Sequence, residues 1–266
     1  MSLTWTPDDQ TPVVFADLSG DRNPVHLDPE HARGAGFDTV IVHGMCTLGA
    51  SARAAHRLAP EGLVLGGLDV RFANPVLPGE EVTFTAKEKE KDGVIKVMLS
   101  PLLPDDRKVM SPANFEFVPA AERGAPDADE VAPAEGDVAG EDFSFDAGQL
   151  ADYDRITAPS ELPANEGVPP MVSLLGMTGA LEIAFRTVQP PEREGTWVHL
   201  RQGARFFADV KQDERYRCRI QGERNKVRES KQGVMVTIPF VVERAGDGGV
   251  VATGSCGLLY AFGGLP

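Results

Sequence analysis

Residues 68–76 read LDVRFANPV, and residues 202–210 read QGARFFADV. Arg71-Phe72, Val76 and Glu80 return as Arg205-Phe206, Val210 and Glu214 at a constant offset of 134. A single Arg-Phe match is unremarkable, but several at one offset mark an internal duplication. The neighbouring elements repeat as well. An apolar helix candidate precedes each copy, Met45–Leu58 in the first half and Met171–Arg186 in the second. Alternating strand candidates follow: Glu81–Lys87, Ile95–Ser100 and Val109–Val118, then Tyr216–Glu223, Gly233–Val242 and Val250–Phe262. One long helix followed by several antiparallel strands, written twice, predicts an α+β fold with each helix covered by a curved sheet.

Between the copies, residues 119–142 are rich in Ala, Pro, Gly and acid and follow neither a helical nor a strand period. They read as a solvated linker. The expected organisation is a catalytic unit at 1–118, a linker at 119–142 and a non-catalytic unit at 143–266. The linker's acids account for about half of the net charge of −14.

The chemistry concentrates in residues 15–45, FADLSGDRNPVHLDPEHARGAGFDTVIVHGM. Asp21 and His26 lie five residues apart, with Asn23-Pro24 between them as a turn. An acid and an imidazole brought together can activate water. His43-Gly44-Met45 follows where the first helix starts, and a Gly amide at a helix N-terminus can relieve charge on a developing oxyanion. Ser19 and Asn23 read as supports of the turn that border the substrate, with His43 and Met45 beside the helix start. Asp28, Glu30 and His31 read as a solvated turn or helix, and His56 and His199 as structural histidines without evident partners.

The same segment of the second half lacks this chemistry. At an offset of 138, Phe15-Ala16-Asp17-Leu18-Ser19 falls on Tyr153-Asp154-Arg155-Ile156-Thr157, Asp21 falls on Pro159, and His26 falls on Ala164. Val168-Pro169-Pro170-Met171 stands opposite His43-Gly44-Met45, with proline where a free N–H is needed. Only the first half reads as catalytic.

Bulk properties narrow the remaining classes. A net charge of −14 argues against nucleic acid, which requires a basic surface. Three widely spaced cysteines, Cys46, Cys218 and Cys256, support neither a zinc site nor a disulfide framework. No signal peptide or long apolar run is visible, so a cytoplasmic location and no membrane partner are expected. Lys211, Arg215, Arg217, Arg219, Arg224, Lys226 and Arg228 suit either the phosphates of an acyl carrier or a solvated sheet face.

The residues Ser19-Gly20-Asp21, Asn23-Pro24, His26, Asp28, Ala32, Phe37, Ile41 and His43-Gly44-Met45-Cys46-Thr47-Leu48-Gly49 resemble the MaoC-like dehydratases, in particular the R-specific enoyl-CoA hydratases (hydratase 2 group). Arg71-Phe72 through Pro75-Val76 to Pro78-Gly79-Glu80 extends the likeness. The resemblance implies a double hotdog, each unit a long helix wrapped by an antiparallel sheet, as a monomer or a homodimer. It also implies syn addition of water to a trans-2-enoyl thioester, giving the (3R)-hydroxyacyl product, or the reverse dehydration. Asp21, His26 and Gly44 would be catalytic, the partner would be an acyl-CoA or acyl carrier protein thioester, and no metal or cofactor is called for. The better-known double-hotdog hydratases carry the motif in their C-terminal half, whereas here it lies in the N-terminal half. Rival readings are a dehydratase for carrier-protein or short branched or dicarboxylic CoA thioesters, and a non-catalytic protein that holds acyl thioesters. A Ser nucleophile has no Gly-x-Ser-x-Gly elbow, and thioesterases do not characteristically carry the NPxH and HGM pair.

Overall fold

The computed structural model describes residues 2–160, 169–181, 195–229, 231 and 233–262. The first half contains β1 (Leu3–Trp5), α1 (Thr11–Ser19), α2 (Pro29–Gly34), α3 (Gly44–Leu58), β2 (Leu63–Phe72), β3 (Val82–Lys91), β4 (Val94–Leu102) and β5 (Met110–Pro119). After α4 (Ala128–Val131), the second contains β6 (Val138–Phe143), α5 (Ala147–Thr157), β7 (Gly195–Phe206), β8 (Tyr216–Ile220), β9 (Lys226–Glu229), β10 (Gly233–Arg244) and β11 (Val250–Phe262).

All the strands join one antiparallel sheet in the order β1-β3-β4-β5-β2-β7-β11-β10-β8-β6, with β9 paired to β10. Read outward from the centre, the two halves use their strands in the same order. Asp69 on β2 stands directly opposite Gly203 on β7, and these are the same position of the 134-residue repeat. A local two-fold axis therefore passes between them. The halves meet edge to edge, and pairing β2 with β7 removes two strand edges that would otherwise be exposed.

Cys46 to Ala55 of α3 are buried without interruption. A helix enclosed on all sides must be slender, and Gly49, Ala50, Ser51, Ala52, Ala54 and Ala55 make it so. Gly49 makes the closest approach. A Cβ there would overlap the Tyr153 hydroxyl of α5, so the absence of a side chain lets the helix of one half lie against the helix of the other. The one cation on this stretch, Arg53, reaches Asp154 of α5 at 2.7 Å (Oδ1) and 2.9 Å (backbone O), satisfying a charge that burial would otherwise make costly.

Two expectations change. The strand expected over Glu81–Lys87 continues to Lys91 as a charged hairpin, because Asp92 (φ 54°) and Gly93 (φ 78°) provide the two left-handed residues of a tight turn. Residues 119–142, expected to be a featureless linker, hold α4 and the start of β6. β6 takes the place in the second half that β1 takes in the first. It is an edge strand anchored on β8: Asp142 pairs with Arg217 at 2.6 Å, and Asp137, just before the strand, pairs with Arg219. Arg224 donates to the backbone carbonyls of Asp129 and Glu130. These three arginines of the late basic cluster are thus engaged by the acidic segment.

The helix expected over Met171–Arg186 begins differently from α3. Pro170–Leu174 form a 3-10 turn and helix starts only at residue 177, continuing to 181 at the edge of the described residues. Ala164 and Val168, the counterparts of His26 and of the start of α3, lie outside the described residues, as does the part of the expected helix after residue 181.

Candidate active site

The loop leaving α1 is shaped by hydrogen bonds within itself. Ser19 donates from Oγ to the Phe15 carbonyl at 2.7 Å and accepts the Asp21 amide at 3.2 Å. Gly20 closes the helix in a left-handed conformation (φ 74°), which turns Asp21 back toward the protein. The Asn23 amide donates to Asp21 Oδ1 at 3.2 Å, and the Asn23 side chain accepts from Val25, capping a 3-10 turn that ends in His26. Ser19 and Asn23, read from sequence as bordering the substrate, are therefore engaged in holding the loop. Asp28 caps α2 by accepting from Glu30 and His31, matching the solvated helix read there.

The structure brings Asp21, His26 and His43 together, one donor atom of each lying within 4.8 Å of the others. His26 Nδ1 lies 2.8 Å from the Ile41 carbonyl. A carbonyl only accepts, so Nδ1 carries the proton and Nε2 is left with a free lone pair. Burial lowers the His26 pKa, and the neighbouring Asp21 carboxylate opposes that shift. The neutral form that can act as a base is therefore present at neutral pH.

His43 has a different part. Its Nε2–H donates to the Asp21 backbone carbonyl at 3.0 Å, and its ring stacks on His26 with centroids 3.8 Å apart. Burial and the His26 ring push its pKa down to about 3. It stays neutral, fixing the His26 ring plane and the Asp21 loop. Asp, His and His are also metal-ligand types. However, the two rings lie only 26° from parallel, and lone pairs in near-parallel planes do not converge on an ion at about 2.0–2.2 Å.

Gly44 is the first residue of α3, with His43 as its N-cap. The Cys46 and Thr47 amides donate to the His43 carbonyl at 3.0 and 3.1 Å, while the first amides, of Gly44 and Met45, precede any intrahelical acceptor and stand at the positive end of the helix dipole. A Cβ on Gly44 would sit 3.3 Å from the Phe72 ring, so glycine lets that ring pack against the start of the helix. Met45 is half-buried on the same turn. In the second half Thr157 repeats Ser19's bond, donating to Tyr153 O at 2.7 Å, but Pro159 then occupies the place of Asp21 and supplies no acid.

His199 and His56, both without evident partners in the sequence, have partners in the structure. His56 Nε2 donates to the Leu63 carbonyl at 3.1 Å and its ring stacks on Phe117, which keeps its role structural. His199, on β7 of the second half, packs on Phe72 with centroids 4.9 Å apart, and the Asp21 carboxylate favours its cationic form. Its Nε2 lies 3.0 Å from the Arg201 carbonyl and 3.2 Å from Cys256 Sγ. Burial dominates and holds its pKa down at about 4. Sequence reading missed this residue as part of the site, although comparing His199 with its repeat counterpart Leu65 would have drawn attention to it.

Two helix-and-sheet units fused edge to edge, with one furnished site at a helix N-terminus, define a double hotdog protein. A Mycobacterium tuberculosis protein with a double hotdog fold matches 96% of this chain and 93% of its own, with TM-score 0.69 at 13% identity. A MaoC-like dehydratase from Phytophthora capsici matches 100% of this chain and 96% of its own, with TM-score 0.58 at 12% identity. At such identities the likeness concerns the fold. Residues 2–99 match the family described as MaoC like domain. The chain is 37% identical over 105 residues to the enoyl-CoA hydratase ChsH3 of Mycobacterium tuberculosis, a match covering 39% of this chain and 35% of that protein. It is 46% identical over 77 residues to the peroxisomal multifunctional enzyme type 2 of Drosophila melanogaster, covering 28% of this chain and 12% of that protein. The chain thus spans well under two thirds of the relatives it matches. No helix among the described residues is long and apolar enough to cross a membrane.

Proposed function

We propose that this chain is a hydro-lyase that adds water reversibly to trans-2-enoyl-CoA thioesters, forming the (3R)-hydroxyacyl product. The observation that carries the proposal is the convergence of Asp21 and a neutral, singly tethered His26 beside the N-terminus of α3. The names of the relatives, enoyl-CoA hydratase among them, support the same class.

The residues divide the work. His26 Nε2 takes a proton from a water that the Asp21 carboxylate also holds, and the water oxygen bonds to C3. The π electrons move onto the thioester, giving an enolate whose oxygen is met by the Gly44 N–H. The imidazolium then returns that proton to C2, the thioester carbonyl re-forms, and His26 is neutral again. Water supplies both fragments, so atoms and charge balance, and delivery from one face gives syn addition. A positioned acid–base pair contributes about 10²–10⁴ in rate, and a single oxyanion donor about 3–4 kcal/mol. His43 holds the ring and the loop.

The test is to follow the loss of enoyl absorbance with crotonyl-CoA and to determine the configuration of the product. Catalysed formation of the (3R) product is expected. No conversion of either CoA or carrier-protein thioesters would overturn the proposal in favour of a protein that only holds acyl thioesters.

A further inference from the structure

The second half lacks the dyad, yet its central strand sends polar side chains toward the first half's site. Along β7 the side chains of Gln202, Ala204 and Phe206 are buried under the sheet, while Arg201 and Arg205 are exposed above it. Simple alternation would place His199 above the sheet with the arginines. Instead β7 carries an extra residue: Arg201 pairs with Gly257 and His199 with Leu258, leaving Leu200 unmatched. Such a bulge re-aims the residues beyond it. It turns the His199 ring inward onto Phe72, the residue that covers Gly44.

The internal repeat serves as a control. β2 has the same bulge at Gly66, between Leu65 and Gly67, which is the position equivalent to Leu200. The two-fold axis therefore relates His199, facing the furnished site, to Leu65, facing the unfurnished one. It relates Gln202 in the same way to Leu68. Fold alone requires only leucine at both positions, since both leucines are buried. The polar pair occurs only on the side where the chemistry is.

Both polar groups offer acceptors. Gln202 is fully buried, and its Nε2–H donates to the Gly203 carbonyl at 3.1 Å, which fixes the orientation of the amide. Its Oε1 is then buried without a hydrogen-bond partner, a cost normally recovered by a ligand or a water. His199 Nε2–H is directed at the Arg201 carbonyl, so Nδ1 remains as the ring's acceptor. The Gln202 side chain lies against this ring and favours its protonated form. An unpaired amide oxygen beside a neutral ring that brings it no proton suits a hydroxyl, whose single proton it can accept. It does not suit a carboxylate, which brings no proton.

Resting on the hydratase reading above, we infer that His199 and Gln202 of the second half determine acyl specificity, accepting a hydrogen bond from a hydroxyl carried by the enoyl chain beyond C3. A site built to bond a hydroxyl disfavours the analogue lacking it, because the Gln202 Oε1 is then left buried and unpaired.

The experiment compares kcat/KM for plain trans-2-enoyl-CoA esters with that for chains of equal length hydroxylated at successive positions beyond C3. It uses the wild-type chain and the variants His199→Leu, Gln202→Leu and His199→Asn. The ratio of the two constants does not depend on how much of each variant folds. Wild type is expected to favour one hydroxylated position by at least about tenfold. Each leucine variant should bring the ratio toward one, through KM more than kcat, and His199→Asn, which keeps an acceptor, should retain part of it. A wild-type preference for the plain chains, or ratios unmoved in both leucine variants, would overturn the inference and leave the two acceptors to a bridging water only. Failure to hydrate any of the esters would instead count against the hydratase reading itself.

Discussion

Replacing His43 by Gln should flatten the acid limb of the protein's stability by about one proton. The imidazole of His43 is 1% exposed and its pKa is pushed down to about 3 from the ordinary value of 6.5. A histidine whose folded pKa lies below its unfolded one contributes stability that is fully present above 6.5 and is lost as pH falls from there toward 3. The loss is about 1.36 kcal/mol per pH unit within that window. Between pH 7.5 and 5.0 it amounts to roughly 2 kcal/mol, because titration begins only near the unfolded value. His199, with its pKa near 4, titrates in both proteins and cancels from the comparison. Urea unfolding at the two pH values measures the effect. The stability gap between the wild type and His43→Gln should shrink or reverse by about 2 kcal/mol at the lower pH. Parallel pH profiles would show that His43 is not held neutral in the fold, and that its assignment as a positioning residue is wrong.

Two further outcomes follow from the geometry. The acid limb of kcat/KM should fall below pH 6.5, because burial lowers the pKa of His26 and the free enzyme keeps its base unprotonated to lower pH; a limb above 6.5 would contradict this. Gly49→Ala should destabilise the chain by about 1–3 kcal/mol, seen in the urea midpoint, because the new methyl meets the Tyr153 hydroxyl between two packed helices. An unchanged or raised midpoint would mean that α3 and α5 are not packed as described.

The parts legible in the sequence and the parts hidden from it separate for physical reasons. The duplication was readable because Arg71-Phe72 and Arg205-Phe206 close equivalent strands at the sheet centre, where both neighbours restrict what fits. β6 was not, because an edge strand has one neighbour. Val138–Phe143 is held by Asp142 on Arg217, and by the preceding Asp137 on Arg219, rather than by an apolar alternation. The loop carrying Asp21 and His26 was readable because its turn is local, built from Ser19, Gly20 and Asn23 within a few residues. The placement of His199 was not local. It depends on one unmatched residue, Leu200, which exists only relative to the partner strand β11. By strand parity alone the ring would face away from the site.

The central claim is that a single site, centred on Asp21 and His26, performs the chemistry of the whole chain. Steady-state hydration of crotonyl-CoA by Asp21→Asn and His26→Ala tests it most directly. Each variant should lose about 10²–10⁴ in kcat. Near-normal turnover in either would contradict the claim and place the chemistry elsewhere in the chain.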